Sequence, residues 1–329
     1  MDYARLAERS LRGEVLTETE GLELLAAPID DLARIMDAAF AVRRATFGRR
    51  VQFHVLMNAK SGLCPEDCGY CSQSAVADSD IERYSLRAPD EVRDAADRAY
   101  QAGAHRFCIV ISGRGASDRE LDDVARAVEA VKASVPIEVC CSLGLLDLEK
   151  ARRLKQVGVD RINHNLNTSE RYYSKICTTH TYDDRVATVN AARSAGLSTC
   201  SGVLAGMGET DQDLIDVARA LRALKVDSVP VNFLNPIPGT PLAETRDLTP
   251  WRCLKILCLF RFMLPTTEIR IAGGREVNLR SLQPFALYPG NSLFINGYLT
   301  TSGQSAEDAV AMVRDLGFEV DILPSLSPA

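Results

Sequence analysis

Apolar positions along the chain change period at about residue 50. Through residues 4–45 they recur at helical spacing, and Thr17-Glu18-Thr19-Glu20, just before Leu22, Leu24 and Leu25, matches a capping box from Thr17 to Glu20. Beyond residue 50, short apolar runs alternate with amphipathic stretches. The runs predict strands over 51–57, 106–112, 137–143, 161–166, 199–205, 228–233, 269–273 and 293–297. The stretches between them predict helices over 89–102, 117–133, 147–156, 183–195, 211–224 and 250–263, with one more at 306–316. Asp183 and Asp211 stand where N-caps are expected, and Gly103, Gly158 and Gly196 where helices should stop. Strands alternating with helices over about 250 residues predict an α/β fold of the (β/α)8 TIM type, a closed parallel barrel. An open doubly wound sheet has the same periodicity and stays open at this point.

No low-complexity or Pro/Ser-rich boundary divides the chain. The expected organisation is an N-terminal helical extension over 1–45, the barrel over 46–303, and a C-terminal helix and tail over 304–329 packed on it. Lys plus Arg total 38 against 44 for Asp plus Glu, a net charge of -6, so no basic excess advertises nucleic acid. Met1-Asp2-Tyr3-Ala4-Arg5 lacks the signal-peptide pattern, and no run approaches the roughly 20 apolar residues of a membrane span. The expectation is a soluble cytoplasmic protein with reduced thiols that binds neither nucleic acid nor membrane.

Against that background the cysteines carry the chemistry. Cys64, Cys68 and Cys71 form a C-x3-C-x2-C run in the long loop after the first strand, where a barrel places its active site. A structural zinc site would need a fourth ligand close by, and none follows before His105. A disulfide framework belongs to small secreted scaffolds, whereas 329 residues can bury a core unaided. Three thiolates on one loop instead suit a cuboidal iron-sulfur cluster with one iron left open. Cys108, Cys140 and Cys200 fall on the second, third and fifth strands, where alternate residues meet across a barrel. Each alone reads as a small apolar core residue. Together with Arg270 on the seventh strand, an arginine that burial would penalise without an anionic partner, they read as a second metal centre. Cys141 must face the helices. Cys177, Cys253 and Cys258 read as packing or incidental, and Trp251, His180 and His105 as unspecialised, with no partner at a telling spacing.

The run Lys60-Ser61-Gly62-Leu63-Cys64-Pro65-Glu66-Asp67-Cys68-Gly69-Tyr70-Cys71-Ser72-Gln73-Ser74 resembles the signature of radical S-adenosylmethionine enzymes, and in this form the biotin synthase family among them. Segments 106–108, 139–144, 163–169, 200–202, 206–210, 229–233 and 270–276 resemble that family in order, over roughly residues 45–303. The resemblance implies a homodimeric enzyme that converts dethiobiotin to biotin by sulfur insertion, fed electrons by a flavodoxin or ferredoxin. Cys64, Cys68 and Cys71 would hold a 4Fe-4S cluster whose open iron binds S-adenosylmethionine. Its 5'-deoxyadenosyl radical would remove hydrogen from two saturated carbons, consuming two molecules of the cofactor per turnover. Cys108, Cys140, Cys200 and Arg270 match the ligands of an auxiliary 2Fe-2S cluster that supplies the sulfur. Tyr70, Asn165, Asn167, Arg185, Gly206 and Glu209 would contact S-adenosylmethionine, with Gly208 in the same loop. Asn163, Asn165 and Asn232 would contact the substrate's ureido ring. Loop packing is the other reading for Tyr70, and an exposed helix charge for Arg185. Asn167 stands where the family often has Asp, and His54 where many members have a small hydroxyl residue, so its role stays open. Lipoyl synthase also inserts sulfur but carries a cysteine motif nearer its N-terminus, and this chain has no cysteine before Cys64. An electron carrier would gain nothing from an open iron in a large barrel.

Overall fold

The structure is a computed structural model that describes residues 1–322. Three helices, α1 (Tyr3–Leu11), α2 (Glu18–Ala26) and α3 (Leu32–Phe47), precede the first strand. The barrel then runs β1 (Arg50–Lys60), α4 (Pro89–Gln101), β2 (Arg106–Ile111), α5 (Asp118–Ser134), β3 (Glu138–Ser142), α6 (Leu148–Gln156) and β4 (Arg161–Asn163). It continues through α7 (Glu170–Tyr173), α8 (Tyr182–Ser194), β5 (Ser198–Cys200), β6 (Val203–Ala205), α9 (Asp211–Ala223), β7 (Ser228–Phe233), α10 (Pro250–Met263), β8 (Glu268–Ile271), α11 (Arg275–Leu279) and β9 (Ser292–Phe294). Last come α12 (Ala306–Asp315) and β10 (Glu319–Val320).

Every strand pairing is parallel, and β9 pairs back onto β1 through Gln52–Ser292, Phe53–Leu293 and His54–Phe294. That contact closes the sheet and rules out the open doubly wound alternative. Outward-facing Phe107, Ile109, Val139, Cys141 and Ile162 pack against α4, α5 and α6 in one core, which places Cys141 toward the helices as the alternation requires. Helix α10 is apolar on every side because it is covered on every side. From Cys253 to Met263 all its residues are buried, the barrel lying inside and α1–α3 outside. Its Lys255 turns outward to cap carbonyls at the end of α2, Nζ donating to Leu25 O at 2.6 Å and Ala27 O at 2.9 Å. Cys253 and Cys258 are packing residues of this layer.

Several local expectations are corrected. The capping box at Thr17 forms as read, but Asp183 and Asp211 are not N-caps. Thr181 and Thr210 cap those helices, with Asp184 and Asp213 returning the bond three residues on, because a Thr–Asp pair satisfies two free N–H groups at once. Gly103, Gly158 and Gly196 do end their helices, in left-handed conformations. The predicted strand 161–166 stops at Asn163, and the predicted strand 199–205 breaks into β5 and β6 around Ser201-Gly202. At that break β7 passes so close that a Cβ on Gly202 would lie 1.9 Å from Pro230 O. Gly202→Ala is therefore expected to lower stability by about 1–3 kcal/mol, the cost of overpacking, read as a fall in Tm by calorimetry. The short β10 and α11 escaped the sequence reading. Part of the expected C-terminal segment, 323–329, lies outside the described residues.

Candidate active site

Two-residue alternation builds the barrel interior in layers. On β2, Arg106 and Cys108 point inward and Phe107 and Ile109 outward; on β3 Glu138 and Cys140, on β8 Glu268 and Arg270, and on β1 His54 take matching inward positions. Cys108 and Cys140 are direct register partners, and Asn163 is paired with Cys200. Arg270 Nη1 lies 3.5 Å from Cys200 Sγ, while its Nε is buried without a partner. Beneath the thiols a charge network fills the barrel. Glu268 accepts from Arg161 at 2.7 Å, from Ser292 at 2.8 Å and from Arg270, with Arg106 at 3.5 Å and His54 Nε2 at 3.3 Å. Burial pushes the Glu268 carboxyl up, but Arg270, Arg161, His54 and Arg106 outweigh it and hold it well below the usual range. Burial first and Arg270 second push the His54 imidazole well below its usual range.

Above the thiols opens a cavity of about 290 Å³. Its rim carries Cys64, Cys68 and Cys71; its wall carries Tyr70, Asn163, Asn165, Asn167, Arg185, Asn232, Tyr298 and Thr300; and Cys108 reaches it from below. The cysteine loop has little regular structure, so scattered bonds hold it: Ser61 pairs with Tyr84, Gln73 Oε1 accepts from Gly62 N–H at 3.0 Å, and Asp67 accepts from Thr178 N–H at 2.9 Å. Burial raises the Cys64 and Cys71 thiols, and Cys68 is raised by its contact with Cys177 and then by burial.

Arg185 is buried, not an exposed helix charge. It donates to Asn165 O at 2.7 Å and to the Tyr173 hydroxyl, and its Nη2 lies 2.8 Å from His180 Nε2. Tyr70 Oη accepts from Asn167 Nδ2 at 2.6 Å. Asn167 reaches the wall through a left-handed backbone (φ 70°), so the three asparagines share the cavity without sharing an extended strand. Asn232 donates to Val203 O at 3.0 Å and accepts from Gly273 N–H at 3.0 Å, which fixes its amide at the end of β7. Gly206 and Glu209 stand off the cavity wall, where the Glu209 carboxylate accepts from the Gly206 and Met207 N–H groups at 2.7 Å each.

Three side chains that the sequence reading passed over belong to this neighbourhood. Cys177 Sγ lies 3.7 Å from Cys68 Sγ, and His180 pairs with Glu66 and Cys177. Cys177 is absent from the cavity wall, so it backs Cys68 instead of facing the space beside the triplet. His164 Nε2 is buried on the wall with no partner. The i,i+3 pair Cys177–His180 was the available signal, too short to read as a site without the fold that brings Cys68 to it. His105 lies 3.7 Å from Glu138, and Trp251 is exposed.

The donor sets fit two clusters. Three thiols edge one side of an open cavity, and three more converge in the barrel beside an arginine whose Nε is unpartnered. Residues 60–221 match the radical SAM superfamily and residues 230–319 the biotin and thiamin synthesis associated domain. Biotin synthase from Anoxybacillus flavithermus is 51% identical over 325 residues, 99% of each chain. That from Bacillus subtilis strain 168 is 52% identical over 319 residues, 97% of this chain and 95% of the other. In fold, methylornithine synthase superposes with a TM-score of 0.83 at 22% identity, covering 96% of this chain and 97% of its own. The FeFe-hydrogenase maturase HydG from Carboxydothermus hydrogenoformans also reaches 0.83, at 19% identity over 98% of this chain and 80% of its own. With half its residues shared along almost its whole length, the chain belongs to the biotin synthase family of the radical SAM superfamily.

Proposed function

We propose that this enzyme converts dethiobiotin to biotin, with a 4Fe-4S cluster on Cys64, Cys68 and Cys71 and a 2Fe-2S cluster on Cys108, Cys140, Cys200 and Arg270. The observation that carries this reading is the cavity itself, with the triplet at its rim and Cys108 at its floor. When bound, the clusters and S-adenosylmethionine supply the electron, the hydrogen-abstracting radical and the sulfur. The chain's own residues bind and orient. Tyr70 and Asn167, already bonded to each other, would flank the adenosyl group, and Arg185 would meet the methionyl carboxylate in a buried setting where a charge-assisted bond is strong. Asn163, Asn165 and Asn232 would hold the ureido ring from the opposite wall, with amide donors and acceptors matching a urea. Gly206 and Glu209 would act one step removed, by fixing the loop after β6 against the cofactor. The apolar remainder of the wall, Leu56, Val110, Leu204 and Phe294 among it, would keep water from the reacting carbons. A flavodoxin or ferredoxin as electron donor and a homodimeric assembly complete the proposal.

Anaerobic reconstitution with iron and sulfide, followed by S-adenosylmethionine, a strong reductant and dethiobiotin, is expected to yield biotin and no lipoyl product. Lipoyl product without biotin would overturn the assignment. Cys108→Ala, Cys140→Ala and Cys200→Ala are each expected to abolish biotin formation while S-adenosylmethionine cleavage continues. The auxiliary assignment fails if all three variants keep the wild-type visible spectrum and biotin yield.

A further inference from the structure

The cysteine loop is tied to the segment after α7 at neighbouring residues. Gly69 N–H donates to Ile176 O at 2.9 Å, and the Asp67 carboxylate accepts from the Thr178 and Thr179 N–H groups at 2.9 and 3.2 Å. Between these ties the sulfurs of Cys68 and Cys177 lie 3.7 Å apart, both buried. A backbone hydrogen bond joining the residues beside them keeps the two chain segments close, as a disulfide requires, and the sulfurs need to close by only about 1.7 Å to reach the ~2.0 Å bond. Cys68 faces the cavity and a small solute entering it, whereas Cys177 stands behind. Cys68 borders the cavity and Cys177 is placed behind it to resolve an attack there, the arrangement of a thiol–disulfide exchange pair.

We propose that Cys68 and Cys177 form a reversible disulfide in the cluster-free protein, a redox lock on the site that holds the radical-generating cluster. The inference rests on Cys68 being a ligand of that cluster. The oxidant is a low-molecular-weight disulfide of the glutathione class. Cys68, losing its proton as it attacks, forms a mixed disulfide and expels one small thiol. The Cys177 thiolate then attacks the Cys68 sulfur and expels the second. Two electrons pass from the protein to the small disulfide, and the two protein protons leave on the two released thiols. In the closed form Cys68 has no thiolate to give to iron, and a dithiol reductant reopens it.

Iron-stripped, reduced protein is to be incubated with oxidised glutathione, alkylated, digested and mapped by mass spectrometry. The expected result is a peptide pair linked through Cys68 and Cys177, reversed by dithiothreitol and missing from protein whose clusters were loaded first. In Cys177→Ser, and in Cys177→Thr as a second variant, the exchange should stall with glutathione trapped on Cys68. Glutathione remaining on Cys68 of the wild type, or a link from Cys68 to Cys64 or Cys71 in place of Cys177, would overturn the proposal. Failure of the radical reading shows separately: reduced, reconstituted protein would then fail to cleave S-adenosylmethionine whatever the peptide map contains.

Discussion

Replacing any one of Cys64, Cys68 and Cys71 by alanine is expected to reduce S-adenosylmethionine cleavage to background. In the proposed site each thiol would be one corner of a three-point attachment, and all three edge the same cavity. Two thiolates cannot replace three, because the cuboidal cluster already forgoes one protein ligand to leave an iron open. The measurement is 5'-deoxyadenosine released per reconstituted protein, read beside the visible absorption of the cluster. Cys68 is the demanding case, since Cys177 lies 3.7 Å behind it and offers a spare sulfur. Cys177 belongs to the segment after α7 and is bonded to Asp67 at 3.2 Å, on the side away from the cavity, so it is expected not to rescue Cys68→Ala. Cleavage that persists in Cys68→Ala and disappears in Cys68→Ala/Cys177→Ala would make Cys177 the ligand and refute this placement.

The parts of this site that were legible in the sequence are those fixed by local rules. C-x3-C-x2-C is local, and so is the period-2 alternation that turned Cys108 and Cys140 inward and Cys141 out. The count of barrel strands followed from repeated apolar runs, and closure needed only the pairing of β9 with β1. Non-local contacts were not legible. Cys177 meets Cys68 across 109 residues of chain, and Glu268 meets Arg106 across 162. Nothing in the spacing of either residue announces its partner. Glu268 was passed over for a further reason: a charged residue opening a strand ordinarily reads as a solvated end, whereas a barrel's first inward layer buries it. The N-cap errors have a different cause. Thr181 and Thr210 precede acidic runs, and helix-start rules rank Asp and Thr closely, so only the reciprocal bonds to Asp184 and Asp213 decide between them.

Glu268→Gln should be the most destabilising single substitution in the barrel floor. The carboxylate lies among Arg106, Arg161 and Arg270, and its removal as a charge leaves, among the described residues, three buried guanidinium groups with Glu138, on Arg106, as the remaining paired carboxylate. Removing one partner of a buried ion network costs about 3–5 kcal/mol, because the remaining charges stay desolvated. The glutamine keeps the shape and can still accept one bond, so the loss reports charge and not a cavity. Chemical denaturation at pH 7 measures it. A loss below about 1 kcal/mol, the scale of an exposed pair, would show that water already screens the network. The pH dependence gives the second arm. Glu268 is held well below the ordinary 4.5 of a glutamate, with burial opposing and the arginines prevailing. A depressed carboxylate contributes stability that is complete above its unfolded pKa and is lost as pH falls through its folded one. Glu138 adds to this in the same direction, drawn down to about 2 by His105 first and by Arg106, with burial opposing. The gap between wild type and Glu268→Gln should therefore be constant from pH 5 to 8 and narrow only in acid. Because Arg270 is the fourth proposed ligand of the auxiliary cluster and Glu268 its principal anchor, the same variant should load that cluster less completely while the triplet's cluster loads in full.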